Sequence, residues 1–206
     1  MWMIHTVSLK ILSFIFPTSC YGCKKGTVSL CEECLLLCKK PLTPPYLFIV
    51  SLYSFKSPLI RKSIHAIKYF RRKDLIEPLA NKMTEEINSR NFSGTIIPIP
   101  MHRLRKLVRG YNHAEELAYQ ISLITKLPYN KKILTRATRA KRQVTTRSRS
   151  ERLRNQERTF KVTGNIEGDN FILIDDVTTT GATLLTARKA LIDSGAKNVW
   201  AITIAH

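Results

Sequence analysis

The sequence predicts an α/β fold with a doubly wound, largely parallel sheet, preceded by a small module that holds four cysteines. Segments rich in β-forming residues alternate with segments of helical periodicity, which is typical of a parallel sheet. One strand, over 170–174, contains a run of four apolar residues, as expected for a strand buried on both faces. Two Cys-x2-Cys motifs lie near the start of the chain, ahead of a proline-rich stretch.

The elements follow in chain order. Apolar residues at helical spacing predict a helix over 2–16, which Pro17 ends. Pro41, Pro44 and Pro45 cannot continue a helix. They predict a boundary near residue 45, between a helix and cysteine module over 1–45 and a sheet domain over 46–206. The remaining predicted elements are one or two strands over 46–55, helices over 58–70 and 74–89, a strand over 95–99, a helix over 112–125, strands over 132–135, 159–163 and 170–174, a helix over 181–194 and a strand over 198–204.

The helix over 2–16 has two interpretations. It packs on the rest of the fold, or it lies on a membrane surface, because Trp2, Leu12 and Phe16 widen its apolar face and a basic protein attracts anionic lipid. The chain start lacks the basic residues of a secretory signal. No stretch reaches the ~20 apolar residues of a spanning helix. We therefore expect a cytoplasmic protein, with peripheral attachment to the inner face of the cytoplasmic membrane as an open alternative.

The charge of the chain is strongly positive. It has 206 residues, with 34 Lys and Arg against 15 Asp and Glu, a net charge of +19. This balance excludes an acidic or calcium-buffering protein and favours polyanionic partners such as nucleic acid, anionic lipid or phosphate esters. The excess is regional, since residues 99–161 hold 17 basic and four acidic side chains.

The cysteines predict a metal site. Cys20, Cys23, Cys31 and Cys34 form two pairs, each spaced so that two thiolates from one tight turn reach the same ion. Four thiolates on one Zn²⁺ leave no open position, so the zinc would be structural. Redox thiols and inert cysteines are the alternatives. A fifth cysteine, Cys38, could replace Cys34, although its flanking leucines suggest a buried thiol.

The segment 171–183, FILIDDVTTTGAT, carries the strongest functional signal. Its apolar strand places Asp175 and Asp176 at the carboxyl end, where open α/β sheets bind ligands. The hydroxyl-rich turn that follows runs into a helix, whose N-terminus attracts phosphate. Two carboxylates beside a phosphate site would repel the ligand unless they bind sugar hydroxyls or a bridging metal. The segment therefore predicts a phosphorylated sugar as ligand. A surface Asp-Asp turn before a Thr-capped helix is the alternative.

Two basic segments accompany this signal. The strand over 95–99 ends in prolines and is followed by Arg103, Arg105 and Arg109 in a predicted loop. The segment 136–158 holds nine basic and two acidic residues. A run of charge is often only a solvated face, but its position beside a polyanion site favours ligand contact. His102 and His113 flank the arginine loop and are candidate contacts, whereas His65 and His206 are expected to be structural.

The DDVTTTGAT segment resembles the signature of type I phosphoribosyltransferases, which bind 5-phosphoribosyl-1-pyrophosphate (PRPP). This resemblance implies that Asp175 and Asp176 contact the ribose 2′- and 3′-hydroxyls and that 178–183 hold the 5′-phosphate, with Mg²⁺ accompanying PRPP. It also implies that the arginine loop receives the pyrophosphate and that 136–158 forms a flap over the site. The PRPP-binding residues implied are Asp175, Asp176, Val177, Thr178, Thr179, Thr180, Gly181, Ala182 and Thr183.

The whole chain resembles the ComF family of competence-associated, phosphoribosyltransferase-like proteins, which are linked to natural transformation in bacteria. The resemblance rests on the cysteine pairs, the IPIPMHRLRKLVRGYNHAEELA segment, the LIDDVTTTGAT signature and Arg136, Gln143, Arg152 and Asn155. Two features depart from the family pattern. His113 stands where that pattern usually has Gln, and Cys38 is a fifth cysteine after the usual four. The pyrophosphate or DNA contacts that it implies are Arg103, Arg105, Arg109, Arg136, Gln143 and Arg152.

Three functions are compatible with these observations. The first is an active phosphoribosyltransferase that transfers phosphoribosyl from PRPP to a nitrogen acceptor, although nothing specifies a base pocket. The second is single-stranded DNA handling during uptake and recombination, on a scaffold that retains PRPP-type binding. The third is an adaptor with a vestigial site. The charge, the arginines and the cysteine module favour the second, and the resemblance implies a helicase-type motor and recombination mediators as partners.

Overall fold

The structure is a computed structural model that describes residues 19–41, 43, 45–137 and 159–206. In chain order its elements are α1 (Glu32–Leu36), β1 (Ile49–Tyr53), α2 (Pro58–Phe70), a 3₁₀ turn (Lys73–Leu75), α3 (Ile76–Ser89), β2 (Thr95–Pro98), α4 (Arg103–Arg109), α5 (His113–Thr125), β3 (Leu134–Arg136), β4 (Phe160–Val162), β5 (Asn170–Val177), α6 (Ala182–Asp193) and β6 (Asn198–Ala205). The predicted helix over 2–16 lies outside the described residues, as do 138–158 of the basic segment.

A four-stranded parallel sheet organises the described fold, and its strand order is β1-β6-β5-β2. The central strand β5 pairs with β6 on one side and with β2 on the other. Residues 171–174 of β5 are fully buried. The predicted α/β class with a largely parallel sheet is therefore confirmed.

Helices cover both faces of this sheet. Alternate residues of β5 point to opposite faces, so Ile172 and Ile174 join one core cluster and Phe171 and Leu173 join another. The first cluster contains the inward residues of α2, α3 and α5, and the second contains α6, β3 and β4. Three helices thus lie on one side of the sheet, and α6 with the β3–β4 pair lies on the other.

Leu30 and Leu35 of the cysteine module belong to the same core cluster as α2 and α3. The lysine Lys82 of α3 also forms an ion pair with Glu32 of α1, with 2.7 Å between Nζ and Oε1. The module therefore packs directly on the helical face of the sheet. The division into two domains at residue 45 stays a prediction.

Three elements differ from the sequence-based expectations. The arginine loop contains the helix α4, because the His102 ring accepts a hydrogen bond from the Leu104 N–H at its start and Gly110, with φ +79°, ends it. Strand β5 continues to Val177 rather than ending at residue 174. Strands β3 and β4 pair with each other in antiparallel fashion, outside the parallel sheet.

One glycine is required by close packing. Gly94 precedes β2 with φ +125°, and a Cβ there would lie 2.2 Å from the carbonyl oxygen of Asn170. Only glycine allows β2 to start this close to β5.

Within the ranges that the structure describes, no helix is both long enough and apolar enough to cross a bilayer.

Candidate phosphosugar site and cysteine cluster

The two carboxylates Asp175 and Asp176 lie near the carboxyl end of strand β5. Because side chains alternate along a strand, they point to opposite faces of the sheet. Asp176 lies on the side of Ile174, which the three helices cover, and it is 8% exposed. Asp175 lies on the side of α6 and β3 and is half-buried. The prediction that both would lie at the carboxyl edge is correct, although they belong to the strand itself.

Asp176 contacts cationic and polar groups from two helices. The Nζ of Lys68, on α2, lies 2.9 Å from its Oδ2. The Nε2 of His113, on α5, lies 3.7 Å from the same oxygen. Arg109 of α4 then contacts this imidazole, with 3.0 Å between Nη1 and Nε2. Two helices thus bring Lys68 and His113 to a single carboxylate of β5, and a third adds Arg109 behind the imidazole.

His113 is held in its neutral form. Burial lowers its pKa to about 4, and this effect outweighs the opposing charge of Asp176. A guanidinium only donates hydrogen bonds, so Nε2 accepts from Arg109 and the ring proton lies on Nδ1. That Nδ1 is buried and has no hydrogen-bond partner within the described structure. The sequence suggested a ligand contact for His113, whereas the structure gives it a buried place between Arg109 and Asp176.

Asp175 resists ionisation. Burial, together with the charge of Asp176, raises its pKa to about 7, while Lys68 and Arg136 oppose that rise. Its Oδ1 accepts a hydrogen bond from the backbone N–H of Asp176 at 2.9 Å. A carboxyl group that is costly to ionise gains from a ligand that brings hydroxyl donors or a cation to it.

Arg136 connects β3 to the end of β2. Its Nε donates to the carbonyl of Pro100 at 2.8 Å, and its guanidinium lies 5.2 Å from the ring centroid of Phe160. Burial and the nearby charge of Arg105 lower its pKa, and Asp175 opposes that effect. Arg136 therefore lies within electrostatic reach of both Asp175 and Arg105 of α4.

The turn after β5 leads directly into α6. Thr178 is buried, and its N–H donates to the carbonyl of Ala205 at 2.9 Å, whereas Thr179 and Thr180 are exposed. Gly181 has φ +74°, and a Cβ there would lie 2.8 Å from the Tyr46 ring. The first turn of α6 contains no acidic residue. The exposed start of this helix, with its threonine hydroxyls, therefore has the electrostatic character that suits a phosphate.

The predicted contacts are only partly brought together. Arg136 interacts electrostatically with Asp175 and with Arg105, and Arg109 is linked to Asp176 through His113. Arg103 is the first residue of α4. Gln143 and Arg152 lie outside the described residues. Lys68 was not predicted, because a lysine on a helix has no motif, and only the packing of α2 on the sheet brings it to Asp176.

The four predicted cysteines form one cluster. The sulfur atoms of Cys20, Cys23, Cys31 and Cys34 all lie within 4.8 Å of one another. Backbone N–H groups of Gly22 and Cys31 point at the sulfur of Cys20, at 3.4 and 3.3 Å. Such N–H donors stabilise a thiolate, so this donor set fits a closed, structural site for a metal such as zinc. Cys38 instead directs its sulfur to the carbonyl of Cys34, at 3.3 Å.

Comparison with known proteins agrees with this architecture. Residues 107–206 match the phosphoribosyl transferase domain family. DNA utilization protein YhgH of Salmonella typhimurium is 26% identical over 197 residues, covering 87% of this chain and 85% of the relative. Competence protein ComFC of Streptococcus pneumoniae is 27% identical over 188 residues, covering 88% and 77%. Purine phosphoribosyltransferase from Pyrococcus horikoshii Ot3 has 14% sequence identity and a TM-score of 0.39, covering 62% of this chain and 70% of that one.

The parallel sheet, the carboxylate pair before a helix N-terminus and the matched domain define a phosphoribosyltransferase-like protein. The four-cysteine cluster and the relatives that match across most of the chain narrow this class further. Over most of its length the chain is similar to relatives named DNA utilization protein and competence protein.

The cysteine cluster yields the first testable prediction. Purified protein should carry one equivalent of zinc, measured by elemental analysis. Cys34→Ser should lose that zinc, because it removes one of four ligands, whereas Cys38→Ser should retain it. Metal-free wild-type protein would contradict the assignment, and zinc retained by Cys34→Ser but lost by Cys38→Ser would make Cys38 the fourth ligand.

The raised pKa of Asp175 predicts a pH dependence of stability. In the unfolded chain this carboxyl ionises near pH 3.9, whereas in the fold it keeps its proton until about pH 7. The native state therefore binds more protons, and the contribution of Asp175 to the free energy of unfolding falls as pH rises from about 4 to about 7. Asp175→Asn removes this loss.

Urea denaturation of wild type and Asp175→Asn in magnesium-free buffer measures this effect. The stability of the variant relative to wild type should increase steadily between pH 4.5 and 7.5. His113, whose lowered pKa makes stability rise with pH in the same range, is present in both proteins, and its contribution largely cancels in the difference. A difference that stays constant or shrinks contradicts the prediction.

Proposed function

We propose that this protein binds a phosphorylated ribose of the PRPP type and handles single-stranded DNA during bacterial transformation. The observation that carries the phosphosugar part is the pair of half-buried Asp175 and buried Asp176, placed directly before the exposed, threonine-rich start of α6. Carboxylates suit ribose hydroxyls, and a helix N-terminus suits the 5′-phosphate, so one end of β5 offers groups for both parts of the ligand.

We assign the individual roles from the resemblance to type I phosphoribosyltransferases. Asp175 and Asp176 accept hydrogen bonds from the ribose 2′- and 3′-hydroxyls, and 178–183 hold the 5′-phosphate. Arg136 lies within electrostatic reach of Asp175, and together with the nearby Arg105 it offers positive charge to a pyrophosphate. Mg²⁺ fits the same place, since a carboxyl group that is costly to ionise is stabilised as the anion by a cation. Asp175 would hold it, and the ion would neutralise part of the pyrophosphate charge.

A second candidate is an active phosphoribosyltransferase, which transfers phosphoribosyl from PRPP to a nitrogen acceptor. Arg136 favours it, because its hydrogen bond to Pro100 fixes the guanidinium close to Asp175. A preorganised cation stabilises the charge that develops on departing pyrophosphate. Pyrophosphate release from PRPP in the presence of nucleobases distinguishes this activity from binding alone.

The DNA part of the proposal rests on the relatives and on charge. The relatives named competence protein and DNA utilization protein support a role in competence. The net charge of +19 favours a polyanion, and Arg109 of α4 is linked through His113 to Asp176 of the phosphosugar site. A helicase-type motor and recombination mediators are the partners that we propose for this role. Attachment to an anionic membrane through the helix over 2–16 stays a prediction.

Removal of both carboxylates tests the phosphosugar site. Asp175→Ala combined with Asp176→Ala should weaken PRPP binding by about 100-fold or more in calorimetry, since it removes two charged hydrogen-bond acceptors. Asp193→Ala, an exposed carboxylate at the end of α6, is the matched control and should bind as wild type. Circular dichroism verifies the fold of each variant. Unchanged affinity in the double variant, or wild-type protein that does not bind PRPP, contradicts the proposal.

A salt series tests the DNA part. Single-stranded DNA should bind with little sequence preference, and log affinity should fall with log salt by about 0.7 for each phosphate neutralised. Replacing Arg147, Arg149 and Arg154 together by Ala should reduce that slope by about 2 if all three meet phosphates. Fluorescence anisotropy measures both quantities. A flat salt response in wild-type protein, or affinity no higher than that of an unrelated protein of equal charge, excludes DNA handling.

A further inference from the structure

The exposed face of α2 is basic and aromatic along its whole length. The residues Ile60, Ile64 and Ile67 of this helix point into the core. The opposite side exposes Arg61, Lys62, His65, Tyr69 and Phe70. We call these five residues the α2 face. The wider segment 35–73 contains nine Lys and Arg and no Asp or Glu. This second basic region lies outside the matched domain over 107–206.

One end of the α2 face presents a cluster of rings. The His65 ring lies 4.6 Å from Tyr69 and 5.6 Å from Phe70, between centroids. Phe70 is 67% exposed and Tyr69 is 55% exposed. Arg109 of α4 lies 5.4 Å from the centroid of Tyr69 and donates a hydrogen bond to its hydroxyl at 3.4 Å. Exposed rings that their neighbours hold in place are suited to stacking on unpaired bases.

The other end of the α2 face meets the cysteine module. The charged ends of Lys24, Lys62 and Arg72 each lie 5.0 Å from the ring centroid of Tyr21. Arg72 is neutralised by two hydrogen bonds to Asp74, at 2.7 and 2.8 Å. Within the described part of the chain, Lys24 and Lys62 form no ion pair with a carboxylate. Their mutual repulsion around one ring falls when a phosphate approaches.

We infer that the α2 face, together with the adjacent Lys24, is a surface on which this protein binds a single DNA strand, with bases stacked on Tyr69 and Phe70 and phosphates bound by Arg61, Lys62 and Lys24. The inference rests on the proposed DNA function and locates it. Tyr69 lies seven positions after Lys62 in the helix, which corresponds to a rise of about 10 Å along the helix axis. A DNA strand of a few nucleotides is therefore long enough to contact both residues.

The placement of the apolar residues favours a nucleic acid over a lipid surface. A membrane-surface helix inserts its apolar side into the bilayer, but the isoleucines of α2 are already buried against the sheet. The exposed side offers two large rings among cations, which is the composition of a surface that binds unpaired bases and their phosphates. Bases paired in a duplex could not stack on these rings, so single-stranded DNA is the expected ligand.

The first experiment removes the rings. The probe is a fluorescein-labelled (dT)20 oligonucleotide, and the full chain is measured by fluorescence anisotropy. Tyr69→Ala combined with Phe70→Ala should weaken binding about ten-fold or more while leaving the salt slope unchanged, since stacking releases no counterions. Tyr119→Ala, which removes an exposed ring from α5, is the matched control and should bind as wild type. Melting temperature and circular dichroism verify that the variants are folded.

The second experiment removes charge. Arg61→Ala combined with Lys62→Ala should lower the salt slope by about 1.4, because two phosphate contacts are lost. Lys161→Ala combined with Lys197→Ala removes the same charge from β4 and from the start of β6, and it should leave the slope unchanged. Equal losses in both pairs would mean a general effect of net charge and would overturn the inference.

The outcomes separate this inference from the function on which it rests. Wild-type protein that does not bind the oligonucleotide overturns both. Wild-type binding that survives the ring and charge variants of the α2 face overturns only the location, and the DNA function stands. Variants that keep oligonucleotide binding but lose binding to vesicles of phosphatidylglycerol and phosphatidylcholine would assign the α2 face to lipid and also overturn it.

Discussion

The burial of two adjacent carboxyl groups at the end of β5 is the constraint on which the described site depends. An isolated buried carboxylate is costly, so the surrounding structure must supply cations, hydrogen bonds or a proton. Asp176 receives Lys68 from α2. Asp175 receives a backbone N–H and, in addition, keeps its proton up to about pH 7 because burial and its neighbour raise its pKa. The cost of placing the two carboxyl groups here is therefore offset without a ligand. Hydroxyl groups of a ligand would donate further hydrogen bonds to their oxygens.

Packing of the helices on the core positions the side chains that stabilise the two carboxyl groups. Ile64 and Ile67 of α2 are buried against the sheet, and Lys68 follows them immediately in the same helix, so its stem is held close to β5. His113 begins α5, which Asn112 caps by accepting a hydrogen bond from Ala114 while its amide donates to the carbonyl of Ile99. Side-chain positions at the site thus follow from helix packing and capping. A substitution in the core under α2 would disturb the site without touching the ligand.

Much of this arrangement could be predicted from sequence, and the rest depended on tertiary contacts. The apolar run 171–174 indicates a buried strand, and the Cys spacing indicates the cluster. The parallel sheet and the grouping of four sulfurs confirm these two parts. The ligand-binding role of the Asp pair stays a prediction. Helix α4 was missed because its cap is the ring of His102, an uncommon capping group, and its apolar side chains remain exposed. The contact of Lys68 with Asp176 could not be predicted, because no local pattern distinguishes it from its solvated neighbours.

The basic residues of this chain fall into two physical classes. Lys68 and Arg136 lie partly buried at the carboxyl edge of the sheet, where they oppose the charge of the Asp pair, so that edge is far less positive than the net charge suggests. Arg61 and Lys62 are exposed on a helix without acidic residues, and in the described ranges they have no carboxylate partner. A phosphosugar would be selected by geometry at the first place, whereas a strand would be attracted by uncompensated charge at the second. Arg109 joins the two, since one of its terminal nitrogens meets His113 and the other meets Tyr69. A ligand that reorients Arg109 at one place must therefore change the support of the ring at the other.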